Sequence, residues 1–186
     1  MASQDSVDRW LEQWSWAGDD LPLDSIAVAK RVTRVARGLE KLTTATLRPL
    51  GLDPGEFDVL ASLLRAGPPH ELTPTALNQS LMMSAGGLTK RLGKLEERAL
   101  VTRRLSADDR RSLLVTLTDT GLALAGRAVR VHATATAEVI DRMGAESREE
   151  LSGLLRGLLV ELEEPERQRE SGQRSGEPAL GSGGLL

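Results

Sequence analysis

Segment 84–111 groups cationic side chains at a spacing that suits the binding of a polyanion. Eight Lys or Arg and four Asp or Glu give the segment a formal charge of +4, whereas the whole 186-residue chain carries −3. The cations are Lys90, Arg91, Lys94, Arg98, Arg103, Arg104, Arg110 and Arg111. A local basic block on an acidic chain is typical of a surface that contacts nucleic acid. A charged helix that is simply solvated is the alternative.

Residues for other kinds of chemistry are missing. The chain has no cysteine, and its two histidines, His70 and His132, are far apart, so we expect no thiolate chemistry and no histidine-built zinc site. The pair Asp108-Asp109 lies among arginines, which would keep both carboxylates ionised. We therefore expect no enzyme activity, no metal and no cofactor. The absence of a long apolar stretch predicts a cytoplasmic protein without a membrane segment.

The basic block lies within a succession of predicted helices and strands, and these elements must position it. Helical apolar spacing, N-cap residues and prolines at helix starts predict most of these elements. The predicted helices cover residues 5–16, 24–47, 54–66, 73–81, 84–99, about 118–143 and 147–162. Residues 100–105 and 112–117 are rich in strand formers and predict a β-hairpin with a polar turn.

Helices followed by a hairpin indicate a winged helix-turn-helix, a mainly α-helical fold with a small β-hairpin wing. Helices 73–81 and 84–99 would form the helix-turn-helix, with the second helix in the major groove. At about 100° per residue, the leucines of helix 84–99 form one stripe and its lysines lie opposite. The candidate DNA contacts are Ser84, Gly87, Thr89, Lys90, Lys94 and, in the wing, Arg111.

Arg91 lies at the margin of the apolar stripe rather than on the expected DNA face. A guanidinium there must find a partner or extend to solvent. Glu96, Asp58 or a carbonyl at a helix end could be that partner. The other possibility is an anionic ligand bound behind the recognition helix.

The terminal helices carry apolar stripes that so small a core cannot cover, which predicts a two-fold homodimer built from them. A dimer would place two recognition helices about one DNA turn apart on a pseudo-palindromic operator. The predicted division is 1–50 for dimerisation and the pocket, 51–117 for the DNA-binding domain, 118–163 for further dimerisation helices, and 164–186 for a disordered tail.

From about Val28 to Leu162 the sequence resembles the MarR family of regulators. The resemblance is carried by Phe57-Asp58-Val59-Leu60, by the segment Leu88–Glu96, and by Asp108–Ser112 continuing into Leu113–Gly121. It implies that Arg111 is the wing arginine and that Asp109 orients it.

The Trp-bearing N-terminal helix is similar to that of the urate-responsive, PecS-like branch of the family. This resemblance implies a ligand site containing Trp14, Asp58 and Arg91. Its fourth position falls on Gln79, where the branch carries Arg. Losing that guanidinium removes a charge-assisted hydrogen bond worth ~1.5–3 kcal/mol, so the effector is either urate or a different small organic anion.

These observations predict a repressor that binds double-stranded DNA as a homodimer and is released by a small organic anion. Movement of Arg91 would move the recognition helix, so that binding of the anion and binding of DNA would oppose each other. The alternative is a DNA-architectural protein that needs no effector.

Overall fold

The computed structural model describes residues 4–14, 16, 20–81, 84–105 and 113–174. The helices are α1 (Asp8–Glu12), α2 (Leu23–Leu47), α3 (Pro54–Arg65), α4 (Pro74–Leu81), α5 (Ala85–Glu97), α6 (Asp119–Ile140) and α7 (Ala145–Arg174). The strands are β1 (Glu71–Leu72), β2 (Val101–Leu105) and β3 (Leu113–Leu117). The predicted mainly α-helical fold with a small β-element is confirmed. The wing turn, with Asp109 and Arg111, and the break Met82-Met83 lie outside the described residues.

The strands form an antiparallel sheet in the order β1-β3-β2. Strands β2 and β3 pair from Val101 with Leu117 to Leu105 with Leu113, as a hairpin requires. The sequence predicted only this hairpin. It missed β1, which pairs Glu71 with Thr116, because two residues are too few to show the alternation of a strand.

Helix α3 begins where the sequence places it, at a capping box. Asp53 accepts a hydrogen bond from the Glu56 amide at 2.8 Å, and Glu56 accepts one from the Asp53 amide at 3.1 Å. With Pro54 at the first helical position, the box fixes the direction of α3. This direction places the inward side of α3 in the core. The core also takes residues from α4, α5, β2, β3 and α6, including Leu77, Leu95, Val101, Val115 and Ala125.

The start of α6 is fixed against the connection between α5 and β2. The Thr118 hydroxyl accepts a hydrogen bond from the Gly121 amide at 2.9 Å and donates one to the Ala99 carbonyl at 2.8 Å. A Cβ at position 121 would lie 1.9 Å from the Leu100 carbonyl oxygen. Only glycine allows this approach, which explains why glycine stands three residues after Thr118.

The ends of the chain differ most from the prediction. Helix α1 is shorter than the predicted helix 5–16, because residues 6–7 and 13–14 form turns on either side of it. Helix α7 continues to Arg174, beyond the end at residue 162 that the sequence predicts. Most residues from 163 to 174 are Glu, Gln and Arg, which are good helix formers.

The chain divides into two compact units, Met1–Ala137 and Glu138–Leu186, with the division inside α6. The first unit contains the whole core. None of the helices in the described part of the chain combines the length and apolar character that a membrane span needs.

Candidate nucleic-acid interface

Helix α5 has a capped start and one buried stripe. The Ser84 hydroxyl accepts a hydrogen bond from the Gly87 amide at 3.2 Å, and Leu88, Leu92 and Leu95 are buried. Packing of this stripe turns the opposite face outward, where Lys90 is exposed. Ser84 and Thr89 are exposed too, although the Thr89 hydroxyl donates to the Ala85 carbonyl at 2.9 Å.

The cations on the flank of α5 that faces α3 have carboxylate partners. Lys94 Nζ lies 3.6 Å from Asp53 Oδ2 and 3.9 Å from Glu56 Oε1. Arg98 Nη1 lies 3.2 Å from Glu56 Oε2. Lys94 is exposed, as the sequence predicted, but its ammonium is directed to the first turn of α3.

The cations of strand β2 are paired in the same way. Arg103 Nε donates to Glu96 Oε2 of α5 at 2.9 Å, and this hydrogen bond lowers the pKa of Glu96. Arg104 Nη2 lies 2.7 Å from Glu71 Oε2 of β1. These two pairs tie the wing strand to the helix on one side and to β1 on the other.

Lys90 differs from these cations, because it forms no ion pair with the residues that the structure describes. Its surroundings on α5 are also bare: a Cβ added at Gly86 or Gly93 would meet no atom within 4 Å. The outward face of α5 therefore combines one available ammonium with an open helix backbone. This arrangement allows close approach to a polyanion such as duplex DNA.

Arg91 packs between α5 and α3. Its Nη1 donates to the Gly87 carbonyl at 3.2 Å, and its Nε would lie only 1.8 Å from a Cβ at Gly55. Glycine at position 55 is thus what lets the guanidinium rest on α3. The Arg91 charge acts to lower the pKa of Asp58, but burial acts more strongly and raises it.

A cavity of about 660 Å³ lies beside this contact, between α3, α4 and α6. Its lining includes Phe57, Asp58 and Arg65 of α3, Ser80 and Leu81 of α4, and Val129 of α6. A carboxylate and a guanidinium among apolar groups are typical of a small-molecule site.

The structure brings together only part of the predicted ligand set. Asp58 lines the cavity and lies within the electrostatic influence of Arg91. Gln79 is exposed on α4 and is not part of the described lining, although the next residue is. Trp14 stacks in a cluster with Trp10 and Trp16, with ring centroids 5.7 and 5.8 Å away.

Sequence reasoning missed the contribution of His132 to this region. The His132 ring meets the edge of Phe57 with centroids 5.0 Å apart, and its charge acts to lower the pKa of Asp58. His132 Nδ1 and, one turn later, Thr136 Oγ1 are buried without a hydrogen-bond partner among the described residues. The signal available in the sequence is a lone histidine among the apolar residues of α6.

Comparisons with known proteins agree with this geometry. A model of the MarR family matches residues 50–112. The chain is 30% identical over 155 residues to the HTH-type transcriptional regulator PecS of Dickeya dadantii, covering 83% of this chain and 93% of that protein.

Two solved structures are similar to the chain. A mutant MarR from Escherichia coli complexed with operator DNA has a TM-score of 0.65 and 26% identity, covering 73% of this chain and 96% of that one. A Mycobacterium tuberculosis MarR family protein in complex with p-aminosalicylic acid has a TM-score of 0.56 and 32% identity, covering 70% and 96%.

Proposed function

The chain belongs to the MarR family of DNA-binding transcriptional regulators, in its PecS-like branch, and we propose that it is a homodimeric repressor released from its operator by a small organic anion. In this proposal, α4 and α5 would form the helix-turn-helix and β2 with β3 would form the wing. The observation that carries the proposal is the open outward face of α5, where Lys90 has no ion pair with the described residues while its neighbours are paired.

Lys90 and Thr89 would enter the major groove, with Ser84 and Gly87 at the start of α5 close to the phosphates. Phosphate contacts supply most of the affinity, and contacts to base edges supply selectivity. Arg111 would add a minor-groove contact from the wing, oriented by Asp109. Lys94 would join the contact only after leaving its carboxylate partners.

The effector would bind in the cavity beside Asp58 and attract Arg91. Because Arg91 rests on Gly55 and is bonded to the start of α5, moving the guanidinium shifts α5 relative to α3. An anion that favours the shifted arrangement by a few kcal/mol would release DNA. The relative bound to p-aminosalicylic acid and the PecS-like Trp14-Asp58-Arg91 pattern support an aromatic carboxylate or a urate-like anion.

Homodimerisation would cover apolar side chains that each unit leaves in solvent. On α2, Val28 and Val35 are 56% and 57% exposed, and on α7 Leu154 and Leu162 are 67% and 64% exposed. A two-fold dimer buries such helix faces against their own copies. It also presents two α5 helices to a pseudo-palindromic site.

Fluorescence anisotropy with a labelled duplex from the gene's own upstream region tests the proposal. The wild-type protein should bind this duplex and release it when urate or p-aminosalicylate is added. Arg91→Ala should still bind but no longer respond to the anion, whereas the matched variant Lys90→Ala should bind more weakly and still respond. If Arg91→Ala abolishes DNA binding, Arg91 is a DNA contact. If no anion releases the wild type, the DNA-architectural alternative is favoured.

A further inference from the structure

We propose that Asp53 limits the affinity of this protein for DNA, because its carboxylate holds the Lys94 ammonium at α3 and away from the phosphate backbone. The inference rests on the proposed DNA-binding role of α5. It goes beyond that role, because it gives an acidic residue outside α5 the effect of lowering the affinity for DNA.

The geometry divides the work of Asp53 between its two carboxylate oxygens. Oδ1 accepts the hydrogen bond from the Glu56 amide at 2.8 Å and caps α3. Oδ2 faces Lys94 Nζ at 3.6 Å. An asparagine can provide the first interaction but not the second, so cap and ion pair are separable by one substitution.

Glu56 also faces Lys94, with Oε1 3.9 Å from Nζ, but it is buried. Its Oε2 is held by Arg98 and the Asp53 amide, which leaves Asp53 as the nearer and more exposed of the two carboxylates. The Glu56 side chain is only 6% exposed, pairs with Arg98 at 3.2 Å and accepts the Asp53 amide. Asp53 and Lys94 are 45% and 48% exposed. A half-exposed pair can open at small cost, so a nearby phosphate can compete for Lys94.

Asp53 competes with DNA phosphates for Lys94, and this competition weakens DNA binding in two ways. The ion pair must open before Lys94 reaches a phosphate, and the carboxylate then repels the phosphate that replaces it. Lys90 pays neither cost, since it forms no ion pair with the described residues. Two lysines one turn apart on α5 should therefore differ in their contribution to DNA binding.

The test is a double-mutant cycle of Asp53→Asn and Lys94→Gln, measured by anisotropy on the upstream duplex and on a scrambled duplex of the same length. Asp53→Asn should bind both duplexes roughly threefold to tenfold more tightly at low salt. The plot of log affinity against log salt should steepen by about one unit per added phosphate contact. Lys94→Gln should change the wild type less than twofold but remove the whole gain in the Asp53→Asn background.

Three controls keep the result interpretable. Asp53→Ser also removes the charge and keeps a capping oxygen, so it should reproduce Asp53→Asn. Asp24→Asn removes a carboxylate from the first turn of α2 and should leave the affinity unchanged. Lys90→Gln should weaken binding equally in both Asp53 backgrounds.

Two results would overturn the inference. If Asp53→Asn, with wild-type helix content and unfolding midpoint, binds no more tightly, Asp53 does not limit affinity. A gain that survives Lys94→Gln would mean that Asp53 acts by repelling phosphate alone, without holding Lys94. A wild-type protein that binds no duplex would instead overturn the proposed function itself.

Discussion

Helix α3 and helix α2 both carry apolar residues, but α3 buries most of them and α2 leaves most of them out of the core. Helix α3 has 12 residues and buries seven of them. Helix α2 has 25 residues and buries only Ala27 and Leu47. Helix α3 is thus stabilised by its own chain, whereas α2 keeps much of its apolar surface in solvent.

Helix α7 extends the contrast, since none of its described side chains is fully buried. Its leucines recur at helical spacing yet remain exposed, with Leu154 at 67% and Leu162 at 64%. Large exposed apolar patches on soluble proteins mark association surfaces. The difference shows that α3 packs within its own chain, and it supports the proposal that α2 and α7 would obtain their packing from a second copy.

The largest effect should come from truncating a core residue of α3. Leu60 is fully buried, so Leu60→Ala should lower the free energy of unfolding by about 2–5 kcal/mol through lost burial and a cavity. Val35→Ala on α2, where the side chain is 57% exposed, should change it much less at low protein concentration. Urea unfolding followed by circular dichroism measures both. Equal losses in the two variants would contradict the contrast between the helices.

The next effect concerns association rather than folding. Leu154→Glu places a charge on the exposed apolar face of α7 and should convert the proposed dimer to monomer. The monomer holds only one half-site, so operator affinity should fall by at least about tenfold. Light scattering gives the mass, and anisotropy gives the affinity.

Arg156→Glu on the same helix is the matched control for Leu154→Glu and should remain dimeric. If the wild-type protein has the mass of one chain, the exposed apolar faces of α2 and α7 do not form a dimer interface.

The sequence predicted most of the core because its signals are local. The Asp53-Pro54 start and the leucine stripe of α5 fix their helices through capping and periodicity, and both are present. Exposure of Lys90 and Lys94 followed from the same spacing. The pairing of Lys94 with Asp53 did not, because it depends on how α5 crosses the first turn of α3.

The proposed effector region was less predictable, because its residues are also brought together only by tertiary packing. Asp58 and Arg91 come from different helices, and only tertiary packing places the guanidinium on Gly55 beside the carboxylate. His132 reaches Asp58 from α6, a long way along the chain. A two-residue strand such as β1 exists only because β3 offers it an edge.

A smaller effect should separate stability from function on α5. Gly93→Ala adds a Cβ into open space, so it should stabilise the helix by up to about 1 kcal/mol. The same methyl group would obstruct close approach to DNA and should weaken operator binding severalfold. Thermal unfolding and anisotropy measure the two effects on one protein. If affinity is retained, Gly93 lies away from the groove and the interface is smaller than proposed.

The smallest effect on stability should appear at Asp58, which lines the cavity beside α3. Burial raises the pKa of Asp58, only partly opposed by the charges of Arg91 and His132. The folded state therefore holds this proton more tightly than the unfolded state, so stability increases as the pH falls through the raised pKa.

Asp58→Asn imitates the protonated form of this carboxyl. At pH 7 it should raise Tm slightly, on the order of 1–2 °C, and the difference from wild type should shrink at lower pH. A Tm difference that is constant from pH 4 to pH 8 would show that the carboxylate is solvated, and that α3 is as indifferent to charge on this side as α2 is.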